Sequence, residues 1–138
     1  MSGVEVISLV AAAGQFIEQT VKIVQLIKEV RGKWRNAPAE TQQWIQEIET
    51  LKDIAGKVQQ ISALQTPEVA AILLRCEERS RCLHTLLSAI SCEADANLGK
   101  KMWAAIIGVA QEGEIKAIFE DLEREKSSLI ANIAAANL

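Results

Sequence analysis

Residues that make turns are scarce in this chain: 138 residues hold 2 Pro and 7 Gly, and aromatics make up only 4%. With so few breakers, a sequence rich in Ala, Leu, Ile, Glu, Gln and Lys is written for long helices and short connections, and no stretch shows a strand pattern. Cysteine is sparse and odd in number. Cys76, Cys82 and Cys92 are irregularly spaced, which suits a reducing compartment better than a disulfide framework and places the chain in the cytoplasm. Neither sign of charge dominates. The net charge of -3 is spread along the chain without a basic face or tail, which argues against a nucleic-acid partner.

What is present in excess is an apolar N-terminus. Residues 4–30, VEVISLVAAAGQFIEQTVKIVQLIKEV, read as one helix, and from Val6 to Ile17 there is no charge and only Ser8 and Gln15 are polar. This run is not a secretory signal, because Glu5 stands where a positive segment belongs and Glu18 follows closely. Nor is it long enough to cross a bilayer, which takes about 20 apolar residues.

The remaining pattern gives a single domain over residues 1–138, large enough to bury a core without metal or disulfide. Helices are expected over about 3–31, 38–61, 67–91, 97–108 and 112–134. Pro38 suits the first turn of the second helix, whose apolar positions are Trp44, Ile48, Leu51, Ile54 or Ala55, Val58 and Ile61. Thr66 is the expected N-cap of the third, with Pro67 at its first position and Arg75, Glu77, Glu78, Arg79 and Arg81 on its outer face. Leu98, Met102, Trp103, Ile106, Ile107 and Val109 carry the pattern of a short fourth helix. Ile115, Ile118, Phe119, Leu122, Leu129, Ile130 and Ile133 form the stripe of the fifth, followed by a small-residue tail from Ala134. The fold class that follows is all-α, an up-and-down bundle of about five helices with the apolar N-terminal helix buried.

Candidate chemistry is thin. His84 lies two residues from Cys82 and eight from Cys76 on one helix, whereas ligands on a helix must be three or four apart to share an ion. No Gly-rich oxyanion or phosphate loop accompanies a Cys–His pair. Glu77 with Glu78 and Glu112 with Glu114 read as solvated faces and helix starts, since acid–base work needs a desolvated cleft. The chain is therefore read as no enzyme, with no cofactor and no metal. Trp44 and Trp103 read as core anchors, and Trp34, between Lys33 and Arg35, as a cap on the first helix or an interface residue.

The order of motifs carries more. The second half, GKKMWAAIIGVAQEGEIKAIFEDLEREKSSLIANIAA, sets a basic pair before a tryptophan helix, then a short turn, then an acidic-led helix ending Leu-x-x-x-Lys-Ser-Ser-Leu. Before it come the apolar first helix, its basic exit, Ala37-Pro38, and LLRCEERSRCLHTLL around Cys76. This order, over nearly the whole chain, resembles the N-terminal effector domains of fungal NLR-like (STAND) receptors, the SesA-type and HeLo-like helical domains. The resemblance implies a signalling module of an immune or incompatibility receptor. Such a module promotes regulated cell death, as in heterokaryon incompatibility, by self-association and by membrane targeting through its N-terminal helix. It also implies a downstream nucleotide-binding domain as partner. No P-loop lies within residues 1–138, so nucleotide-driven assembly is not implied by these residues.

Residue by residue, Val6, Ile7, Leu9, Val10, Ala13, Phe16 and Ile17 are the candidates for membrane insertion. In the bundle, Ile7, Val10, Gly14, Ile17, Val21 and Val24 are expected toward the core, with Leu9, Phe16, Ile23 and Val30 as a second stripe. Ala11 to Gly14 are small enough for close helix approach. Lys28, Arg31, Lys33 and Arg35 are the candidates for lipid headgroups at the plasma membrane, each worth on the order of 1 kcal/mol near an anionic surface. The same residues also read as the central helix of a bundle with bases at its C-terminus. The alternative function is thus an adaptor that docks another helical domain without touching lipid.

Overall fold

The structure, a computed structural model, describes residues 3–35, 38–95, 101–102 and 109–136, and side-chain surroundings over 8–34, 38–92 and 111–136. Four long helices dominate: α1 (Gly3–Lys33), α2 (Thr41–Gln60), α3 (Pro67–Asp95) and α4 (Val109–Ala136), with a 3-10 turn at Ser62–Leu64. Among the described residues the helix count is therefore four where the pattern predicts five. The predicted fourth helix lies largely outside them, and the part inside is extended. Strand β1 (Trp34–Arg35) pairs in parallel with β2 (Lys101–Met102), joining the exit of α1 to the approach of α4.

Cross-helix contacts fix the directions. Arg31, late in α1, meets Gln42, early in α2, while Gln59, late in α2, meets Val10, early in α1. Lys33 and Trp34 at the end of α1 meet Ser91 and Ile90 late in α3, and Arg75 of α3 meets Glu125 late in α4. Successive helices thus run up, down, up and down. α1 packs against both α2 and α3, α4 leans on α3, and α2 barely touches α4.

The ends of the helices are set locally. Pro38 lies in the turn before α2 and not within it; its carbonyl accepts from both the backbone N–H (3.1 Å) and the hydroxyl (2.8 Å) of Thr41. Gln65 closes the other end of α2 by donating to the carbonyls of Val58 and Gln59, which lack helical partners there. Thr66 caps α3 as expected, its hydroxyl accepting from the Val69 N–H at 3.2 Å. The tail of α4 stays helical through Ala136.

One apolar core joins the four helices. On α2 it takes Ile45 as well as the predicted Ile48, Leu51, Ile54, Ala55 and Val58, whereas Ile61, just past the helix, is exposed. On α3 Glu77 turns inward and pairs with Arg81 at 2.7 Å, so the expected outer face is interrupted. Arg75, still exposed, and the half-buried Arg79 reach across to Glu125 and Asp121 of α4, each at 3.0 Å. On α4 Ile130 is out of phase and exposed, while Ile133 packs at the rim.

Candidate functional site

The inward face of α1 is the stripe Leu9, Ala13, Phe16, Thr20, Ile23, Ile27 and Val30, continued by Trp34 beyond the helix end. These positions recur every three or four residues, and the only polar member, Thr20, returns its hydroxyl to the Ile17 carbonyl at 2.6 Å. The stripe expected to be secondary is therefore the deeper one. Val10, Ile17 and Val24 pack only partly against the core, and Val21 is 44% exposed. Facing out are Ser8, Ala11, Gln15, Glu18, Lys22, Gln25 and Lys28. Despite its uncharged first half, α1 is amphipathic in place, with a narrow outer strip of small and polar residues.

Of the candidate insertion residues, Leu9, Ala13 and Phe16 share this buried face, and Val10 and Ile17 flank it. The backbone of Val6 and Ile7 lies in α1, and their side chains fall outside the described residues. Within the small run Ala13 is fully buried, and Gly14 stands at a close approach. A Cβ on Gly14 would stand 3.1 Å from Nε2 of Gln59, which donates to the Val10 carbonyl at 3.1 Å. Glycine at this position lets α2 stitch itself to the α1 backbone.

The basic exit divides. Lys28 and Arg31 are exposed, and Arg31 donates to Gln42 Oε1 at 2.7 Å. Lys33 is half-buried and engaged: its ammonium donates to Ser91 Oγ at 3.0 Å and lies 4.0 Å from Glu29. The Arg35 backbone pairs with Met102, and its side chain lies outside the described residues. Trp34 is neither a surface cap nor an exposed interface residue. It is buried in the core and its indole N–H donates to the Ile90 carbonyl at 3.2 Å, satisfying the one polar atom of the ring.

Cys76 is buried, and burial pushes its thiol up to about 12, which makes it an inert core residue at neutral pH. Cys82 and Cys92 are exposed, and His84 is half-buried beside Ser88. Among the described residues no group of His, Cys, Asp or Glu is placed to hold a metal ion. No described helix is long and apolar enough to cross a membrane.

Sequence reasoning did not anticipate a cleft of about 490 Å³ between the first halves of α2 and α4. Trp44 and Phe119 stack within it, ring centroids 5.3 Å apart and planes 16° from parallel. Glu40 and Glu47 stand on one wall and Glu120 and Glu123 on the other. The signal for it was present in the spacing: Glu47 follows Trp44 by three residues and Glu123 follows Phe119 by four, so acids sit on the apolar faces. Compared with protein-family models, with curated proteins and with solved structures, the chain gives no match.

Proposed function

We propose that this domain is a signalling effector of the fungal NLR-like type, which promotes regulated cell death by self-association and by delivering α1 to an anionic membrane. The resemblance in motif order supplies the function, and one observation on α1 supports the manner of delivery. Its apolar face runs from Leu9 to Val30 with Thr20 as its one polar member, and its exposed side ends in the bases Lys28 and Arg31. A helix so divided, once released, lies in the headgroup region with its apolar face down and does not span. The length and polarity of α1 favour that interfacial mode, since no described helix is apolar enough to cross. Release exposes the facing surfaces of α2 and α3 as well, so it proceeds only where a membrane or a neighbouring copy covers those surfaces in turn.

A second reading, an adaptor that docks a helical partner without lipid, is favoured by the depth of α1 in the core, where Ala13, Phe16, Ile23 and Ile27 are fully buried. Vesicle flotation separates the two. With phosphatidylserine vesicles at low salt, the effector reading gives co-flotation and dye leakage that rise steeply with protein concentration, fall in K28Q/R31Q, and vanish with phosphatidylcholine alone. Absence of binding to anionic vesicles across that range decides for the adaptor.

A further inference from the structure

The cleft between α2 and α4 is a feature separate from α1 and from the membrane reading. Phe119 is buried at its base and Trp44, stacked on it, is only half-buried, so ring surface of Trp44 remains open to the cleft. Around that surface stand Glu40, Glu47, Glu120 and Glu123, with Lys116 among the described lining residues. Glu123 is partly met by Lys126 at 2.7 Å and Glu47 accepts a long hydrogen bond from Gln43 at 3.5 Å. Even so, the Glu47 carboxyl is held above its usual range, first by burial and then by the charge of Glu123, with Lys126 and Gln43 pulling the other way.

Helices that needed only to close on each other would meet here with apolar or opposite-sign side chains. Like charges over an aromatic surface oppose closure, and both elements suit a bound cation: the ring face attracts it through its quadrupole and the carboxylates neutralise it by charge-assisted hydrogen bonds. The acids are also spread out. Glu40, just before α2, stands about 10 Å along the helix axis from Glu47, and Glu120 and Glu123 line the facing wall one turn of α4 apart. That strip matches several positive charges in a row better than one small cation.

We infer that the α2–α4 cleft docks an arginine- or lysine-rich segment of a partner protein, with one cationic side chain on Trp44 between Glu47 and Glu123. The shape of the cleft and its charge carry this assignment, and Lys116 marks where an acidic residue of the same segment is accommodated.

The test uses the whole chain and a fluorescein-labelled 12-residue peptide with arginine at every third or fourth position, read by anisotropy at low salt. A counterpart with glutamate replacing arginine is the charge control. The expected result is saturable binding of the arginine peptide only, weakened tenfold or more in E47Q/E123Q and in W44L, and unchanged in E49Q/E78Q, which removes the same charge from exposed faces of α2 and α3. E47Q/E123Q relieves a like-charge contact and keeps the fold, so the test does not depend on W44L being stable. N-acetyl-arginine amide is expected to compete only at far higher concentration than the peptide. The inference is overturned by absence of binding, by equal loss in E49Q/E78Q, by full affinity in E47Q/E123Q, or by N-acetyl-arginine amide binding as tightly as the peptide.

Discussion

The two long seams of the bundle are built on opposite terms. Where α1 lies on α3 the contact is extensive and mainly apolar, with polar contacts at the exit through Trp34 to Ile90, Lys33 to Ser91 and Ser91 to Glu29. Where α2 faces α4, contact is sparse, an aromatic pair sits at the base, and carboxylates line both walls. Both seams belong to the same up-and-down bundle, and their side chains set them apart. Fully apolar stripes close a seam and contribute stability; acids on the apolar phase hold it open and leave its surface for a partner. The α3–α4 seam lies between these extremes, with more contact than α2–α4 and edged by Arg75–Glu125 and Arg79–Asp121.

The largest break in this contrast is expected at Phe16. Phe16→Ala opens a cavity in the closed seam and is expected to lower the unfolding free energy by about 3–5 kcal/mol. Trp44→Ala removes a half-buried, stacked ring from the open seam and is expected to cost about 1–2 kcal/mol. Urea denaturation of both variants checks the ordering; equal losses would mean that the two seams do not differ as described.

Alkali gives an intermediate effect. The Cys76 thiol is raised to about 12 in the folded chain from an ordinary 9.0, so it stays neutral when folded over a range in which the unfolded chain ionises. The stability it contributes is complete below pH 9 and declines as the pH rises toward 12. Cys76→Ala should flatten that decline in a denaturation series, and a thiol reagent at pH 8 should modify Cys82 and Cys92 while sparing Cys76.

The smallest effect has the opposite sign. Because burial and Glu123 raise the Glu47 carboxyl, its ionised form is disfavoured in the folded chain. Its penalty is absent below the ordinary value of 4.5 and develops as the pH rises through the folded value. Glu47→Gln is therefore expected to stabilise the chain at pH 7 by less than about 0.5 kcal/mol and to do nothing near pH 3.5, since the group is mostly solvated. A thermal melt at the two pH values checks the sign, and a loss of stability at pH 7 would remove the like-charge account of the open seam.

How much of this was legible in the sequence follows from where the period was unambiguous. The helical class, the inward phase of α2 from Ile48 to Val58 and the Thr66 cap could be read because apolar spacing and capping chemistry agreed. In the first half of α1 spacing could not choose a face, because almost every residue from Val6 to Ile17 is apolar. Small differences decided it: Ala11 and Gln15 lie outward, and Phe16 with Ala13 is buried in the core. Ionic residues misled for a different reason. Arg75, Arg79 and Glu77 look like a solvent face, yet the two arginines pair with α4, partners set by packing, and Glu77 is buried while meeting the exposed Arg81 one turn on. The cleft was hidden likewise, because Trp44 and Phe119 occupy core positions in the pattern and only the divergence of α2 from α4 opens them.

The central claim is that α1 is a core helix at rest and the membrane-seeking element when the domain acts. Hydrogen exchange of the whole chain with and without phosphatidylserine vesicles tests it most directly. The account predicts strong protection along 9–30 in solution, rivalling that of α3. On binding vesicles, exchange should accelerate selectively at the surfaces of α2 and α3 that α1 uncovers, while α1 remains helical and protected by lipid. Vesicle binding with an unchanged exchange pattern throughout α2 and α3 would contradict it, because α1 would then have stayed in the core.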